Sequence, residues 1–145
     1  MLFRSVFVVD DTILQPNGIA FNPAGDTLYV CDTGGVSGYN GTKPHTIYKF
    51  DVTNNGTEIS NRRAFYLTSS YIPDGLKVSQ EGLVLTADGN GIDVLDNIGQ
   101  LIMRVQMNYT AVNFAWVGND LRELWVVGQG AISRIRWNIQ GQQLA

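Results

Sequence analysis

The sequence predicts an all-β fold of about three four-stranded units, the blades of a partial β-propeller. Three observations predict it. Helical periodicity is nearly absent, and short strand patterns follow one another along all 145 residues. The 16 glycines and 10% aromatics, with only four prolines, suit short strands joined by tight turns. One phrase also recurs. "QPNGIAFNPAGDTLYVCDTGG" (15–35) is partly echoed by "IPDGLKVSQEGLVLTADGNG" (72–91), each with Pro, a short oxygen-bearing side chain and Gly ahead of an apolar strand.

In chain order, "IAF", "TLYVCD", "TIYKFDV" and "RRAFYLT" read as four strands. They are separated by "NPAGD", a Gly- and Asn-rich loop, and "TNNGTE". "LKV", "LVLTAD", "IDVLD" and "LIMRVQM" repeat the order around "SQEG", "GNG" and "NIGQ". "VNFAWVG", "LRELWVVG" and "AISRIRW" form a third group before a polar tail. The opening "MLFRSVFVVDD" reads as a strand, the last of a blade whose beginning is absent, and it lacks the small-residue cleavage site of a signal peptide. The unit starts are Asn17, Asp74 and Asn113, separated by 57 and 39 residues, and the excess falls in the loop "TGGVSGYNGTKPH". Blades are expected at residues 14–70, 71–109 and 110–138. Closed propellers have about four to eight blades, so three make an arc with two bare flanks. The expectation is therefore a fragment whose missing blades come from a longer chain or a second copy.

Composition excludes several functions. A hydrophobic content of 44% supports a packed core. A net charge of −3 argues against nucleic acid, which calls for a basic face, and "RIRW" fits a strand with one solvated side. No apolar run approaches the roughly 20 residues of a membrane-spanning helix. Cys31 is the only cysteine and cannot form an internal disulfide; in "LYVCD" it reads as a small buried residue. A Cys-His nucleophile is disfavoured because the one histidine, His45, lies in a polar loop. Sequons begin at Asn40, Asn55 and Asn108, against about 1.4 expected by chance from 12 asparagines and 17 serines plus threonines. This mild excess leans toward a secreted, extracellular glycoprotein, with a cytoplasmic location as the alternative.

Pro-Asn-Gly, Leu-Tyr-Val-x-Asp-Thr, Ser-Asn-Arg-Arg and Pro-Asp-Gly occur in that order, and with "NFAWVGNDLRELWVVGQG" they span roughly residues 5–137. This set resembles the gluconolactonase, regucalcin (senescence marker) and luciferin-regenerating-enzyme-like family of six-bladed propellers, over its C-terminal half. The resemblance implies a lactone hydrolase with a divalent metal, usually calcium, on the propeller axis and a small-molecule lactone as substrate. It also implies that Asn17 and Asp74 are metal ligands and that Asp74 is the catalytic base. The family's remaining glutamate and asparagine ligands belong to earlier blades that this chain does not match. Hard cations take oxygen donors, about six to eight for calcium, so an amide and a carboxylate suit the ion without completing its shell.

By local sequence alone, Asn-Gly and Asp-Gly are turn pairs. Asp32 and Asp88 read as structural aspartates bonding loop amides, Arg62 and Arg63 as solvated residues of an outer strand, and Trp116, Trp125 and Trp137 as core. Two other functions stay open beside the hydrolase: a non-catalytic calcium- or ligand-binding propeller, and a truncated homologue without activity.

Overall fold

A computed structural model describes residues 5–34 and 44–143. Its eleven strands form three antiparallel sheets. The first contains β1 (Pro16–Phe21), β2 (Thr27–Asp32), β3 (Thr46–Thr53) and β4 (Glu58–Leu67), paired in chain order. The second contains β5 (Leu76–Val78), β6 (Val84–Asp88), β7 (Gly91–Leu95) and β8 (Leu101–Gln106), again in order. The third has three strands, matching the three segments read in the sequence: β9 (Ala111–Val117), β10 (Glu123–Gly128) and β11 (Ala131–Arg136). Among the described residues the only helical turn is a short 3-10 segment at Asn54–Gly56. There Asn54, Asn55 and Gly56 all take positive φ, as the Asn-Asn-Gly run permits. No helix of the described residues is long and apolar enough to cross a membrane.

Strand alternation decides how the sheets stack. Along β2, Tyr29 and Cys31 turn one way, into a cluster with Ile47, Leu76, Val78, Val84 and Leu95 that joins the first sheet to the second. Leu28 and Val30 turn the other way and pack with Phe50 and Ile13. A further cluster joins the second sheet to the third through Leu85, Ile92, Val94, Phe114, Leu124 and Val126. The middle sheet is thus covered on both faces, and every residue of β6 and β7 is buried. Each fully buried aliphatic side chain contributes about 1.5–3 kcal/mol through removal from water. Truncating Leu124 to Ala at the second seam would cost about 2–5 kcal/mol.

The outer faces lack this cover, and two expectations fail there. The apolar segment after residue 4 is not a strand: Val6 is 94% exposed and Phe7 80%. Among the described residues it pairs with no sheet edge, and a ladder needs a partner whatever the local pattern. Trp125 is not core but 47% exposed. On β10 it points opposite to Leu124 and Val126, onto a face that no fourth sheet covers. Val127 and Ile132 share that exposure.

Candidate functional site

The three innermost strands β1, β5 and β9 adjoin one another, and their first residues lie at one end of the arc. This follows from where glycine stands. A Cβ on Gly18 would lie 2.2 Å from the Asp74 carbonyl oxygen and 2.8 Å from Leu76 Cβ. A Cβ on Gly75 would lie 2.6 Å from Asn113 Oδ1 and 2.8 Å from Asn113 Cα. The residue after each mouth residue must lack a side chain so that the next blade's mouth can press against it. Gly75 N donates to Val112 O at 2.8 Å, pinning the second mouth to the third.

Asn17 and Asp74 meet at this end. Asn17 Nδ2 donates to Asp74 Oδ1 at 2.7 Å across 57 residues of chain. Asn17 is exposed and Asp74 half-buried. Partial burial raises the Asp74 carboxyl above its ordinary range, and the bond from Asn17 opposes the shift. Turning the Asn17 amide over by a half-rotation presents its oxygen instead, so the pair can offer oxygens from an amide and a carboxylate to one cation. That donor chemistry fits a hard divalent ion. No group of three or more His, Cys, Asp or Glu among the described residues could complete such a shell.

Two buried aspartates hold the segments that carry the mouth residues. Asp32, at the end of β2, accepts from the amides of Leu14 (3.3 Å) and Gln15 (3.1 Å), just ahead of Asn17, and from Gly34 (3.0 Å). Asp88 ends β6 in the same manner. It accepts from Asn90 N (2.8 Å), Gly91 N (3.1 Å) and Thr68 Oγ1 (3.1 Å), the last lying in the linker that delivers Asp74. Desolvation pushes the Asp88 carboxyl up to about 6, with repulsion from Asp93 adding to it. Neither reaches the mouth as a free group.

Other candidates fall elsewhere. Cys31 is fully buried beside Thr86, and desolvation pushes its thiol up to about 12, so it is no nucleophile at neutral pH. Arg62 lies over the Tyr48 ring, and Arg63 bonds Asp51 at 2.6 Å. Arg134 and Arg136 pair with Glu123, and Arg136 also with Asp120. Asn55 and Asn108 are exposed, while Asn40 lies outside the described residues.

Sequence reasoning missed a buried cross-blade network. Arg104 on β8 grips Asp93 on β7 with two bonds (2.5 and 2.8 Å) and reaches Ser69 Oγ at 2.9 Å. Tyr66 of the first sheet donates to Asp93 Oδ2 at 2.7 Å. The only signal was an aspartate within the apolar run "GIDVL", which cannot be buried without a partner.

These sheets and their shared mouth define a partial β-propeller with polar side chains where the blades meet. The sequence model of the SMP-30/Gluconolactonase/LRE-like region matches residues 3–129, and the chain belongs to that family. It is 43% identical over 155 aligned positions to Lactonohydrolase oryH of Aspergillus oryzae (strain ATCC 42149 / RIB 40), covering 97% of this chain and 33% of that protein. Among solved structures it resembles XC5397, a gluconolactonase from Xanthomonas campestris, with 28% identity and a TM-score of 0.71; 83% of this chain and 37% of that one are covered. A calcium-binding regucalcin from Agrobacterium tumefaciens shares the fold at 24% identity and a TM-score of 0.64, over 77% of this chain and 37% of that one. The chain thus spans about a third of the length of the curated relative and a little over a third of these structures.

Proposed function

We propose that the chain carries the Asn17–Asp74 part of the active site of a metal-dependent lactone hydrolase. The observation that carries this reading is the 2.7 Å contact between those two side chains, from adjacent blades, at the mouth of the arc. The lactonohydrolase and gluconolactonase relatives supply the reaction class. Asn17 and Asp74 would hold the cation, with calcium as the ion that suits two hard oxygen donors. When bound, the cation polarises the lactone carbonyl and stabilises the charge that develops on its oxygen.

The chain's own residues do the rest. Asp74 Oδ1 is engaged by Asn17, and Oδ2 has no partner among the described residues. Oδ2 takes a proton from the attacking water as its oxygen bonds to the carbonyl carbon. The carbon–ring oxygen bond then breaks, and Asp74 returns the proton to the departing alkoxide, leaving a hydroxy acid. Partial burial favours this role, because it brings the base closer to neutral pH. The Gly75 N to Val112 O and Asp74 N to Ala87 O bonds fix the backbone that aims it.

The test is acid release from a δ-lactone by the 145-residue chain in calcium. Hydrolysis that falls about 10²–10⁴-fold in Asp74→Asn supports the reading. Unchanged turnover in that variant overturns it. A second reading has its own observation: the described residues hold no group of three or more His, Cys, Asp or Glu that could bind a metal ion. It makes the isolated chain a weak cation binder that needs oxygens from further blades, and it predicts cation binding without turnover. Exposure of Asn55 and Asn108 supports the secreted, glycosylated form of either reading. A mass loss on treatment of the native product with an N-glycan amidase would bear that out, and no loss would remove it.

A further inference from the structure

The repeat places a third polar residue at the same mouth. Asn113 opens the third blade as Asn17 and Asp74 open the first two, and its side chain is exposed. Its geometry differs from that of Asn17. Asn113 Oδ1 accepts the amide of Phe114 at 2.8 Å. The same oxygen lies against Gly75, the neighbour of Asp74, where a Cβ would meet it at 2.6 Å. A backbone N–H can be satisfied only by an acceptor, so this amide cannot turn over without leaving two donors face to face. Phe114 is itself buried in the seam between the second and third sheets, which fixes the N–H that does the holding.

One end of the Asn113 amide is therefore committed, and the other is not. Nδ2 has no partner among the described residues, and the side chain that carries it packs against Gly75, the residue after the base. Asn17 can present an oxygen to a cation by turning over; Asn113 presents N–H. We propose that Asn113 is a substrate-orienting hydrogen-bond donor, binding an oxygen of the lactone next to Asp74 rather than serving as a metal ligand. Its amide gives the site a fixed donor whose orientation is set before the substrate arrives, so little ordering is required on binding. The inference rests on the lactone hydrolase reading.

The experiment titrates a non-hydrolysable aldono-δ-lactam into the 145-residue chain in calcium, followed by NMR. Three proteins are compared: wild type, Asn113→Asp and Asn113→Ala. Asn113→Asp keeps the oxygen that accepts Phe114 N–H, so it retains the local fold, and replaces only the donor. The expected result is binding by wild type with a shifted Asn113 side-chain NH₂ signal. Affinity should fall about tenfold in each variant, the loss of one hydrogen bond to the ligand. Calcium affinity should not fall in Asn113→Ala. Equal lactam binding by all three proteins overturns the inference and leaves the hydrolase reading standing. Weakening in Asn113→Asp alone also overturns it, because a new carboxylate beside Asp74 would then be the cause. No lactam binding by wild type overturns both.

Discussion

Asp88→Asn should make the protein more stable above pH 6 and leave it unchanged near pH 4. Asp88 is 1% exposed, and its carboxyl is pushed from 3.8 to about 6, chiefly by desolvation. In the unfolded chain it titrates near 3.9. The folded state thus holds the proton more tightly, and stability falls as pH rises from about 4 to about 6. Above that window the charged form costs the folded state about 3 kcal/mol, at 1.36 kcal/mol for each of roughly two pH units. Asparagine stands in for the protonated acid. Its Oδ1 still accepts from Asn90 and Gly91. Its NH₂ can donate to Thr68 Oγ1, whose hydroxyl then turns to Ser70 O. Thermal melts followed by circular dichroism at pH 4 and pH 8 read the difference. At about 2–4 °C per kcal/mol for a chain near this size, the variant should melt up to about 6–12 °C higher at pH 8. The two should converge at pH 4. A constant offset at both pH values, or a loss at pH 8, would refute the reasoning, since it would mean that the charged form is what the fold needs.

Two further perturbations follow from the mouth itself. Gly75→Ala forces a methyl onto Asn113 Cα and Val112 O, which no rotamer change can relieve, and should cost about 1–3 kcal/mol. A melting temperature within 1 °C of wild type would show that the blades do not approach so closely. Asp74→Asn, measured in chelator, should stabilise the protein at pH 8 and lose that gain as pH falls toward the ordinary carboxylate range, because burial raises the Asp74 carboxyl and the folded state favours its protonated form. Melts across pH 4–8 check this; lower stability of the variant at pH 8 would contradict it.

The strand order was legible because each strand is short, apolar and bounded by Gly, Asn or Asp. "TLYVCD", for example, coincides with β2. The juxtaposition of Asn17 with Asp74 was legible from the repeat and the family resemblance, since equivalent positions in adjacent blades must be neighbours. Alternation failed in β7, where Asp93 lies within a wholly buried strand because sheets pack on both sides of it. Its partners Tyr66 and Arg104 stand 27 and 11 residues away on other strands, and no local pattern reports them. The apolar run Val6–Val9 and Trp125 misled for the opposite reason. Each has the composition of an interior position, yet among the described residues no sheet covers it. Whether a residue is covered depends on the neighbour, which local sequence does not describe.

The most direct measurement of the central claim is a crystal structure of the chain grown in calcium, with the ion located by its anomalous scattering. The account predicts one calcium at the mouth, within about 2.3–2.6 Å of an oxygen of Asn17 and an oxygen of Asp74. An ion bound elsewhere, with Asn17 Nδ2 still bonded to Asp74 Oδ1, would contradict it.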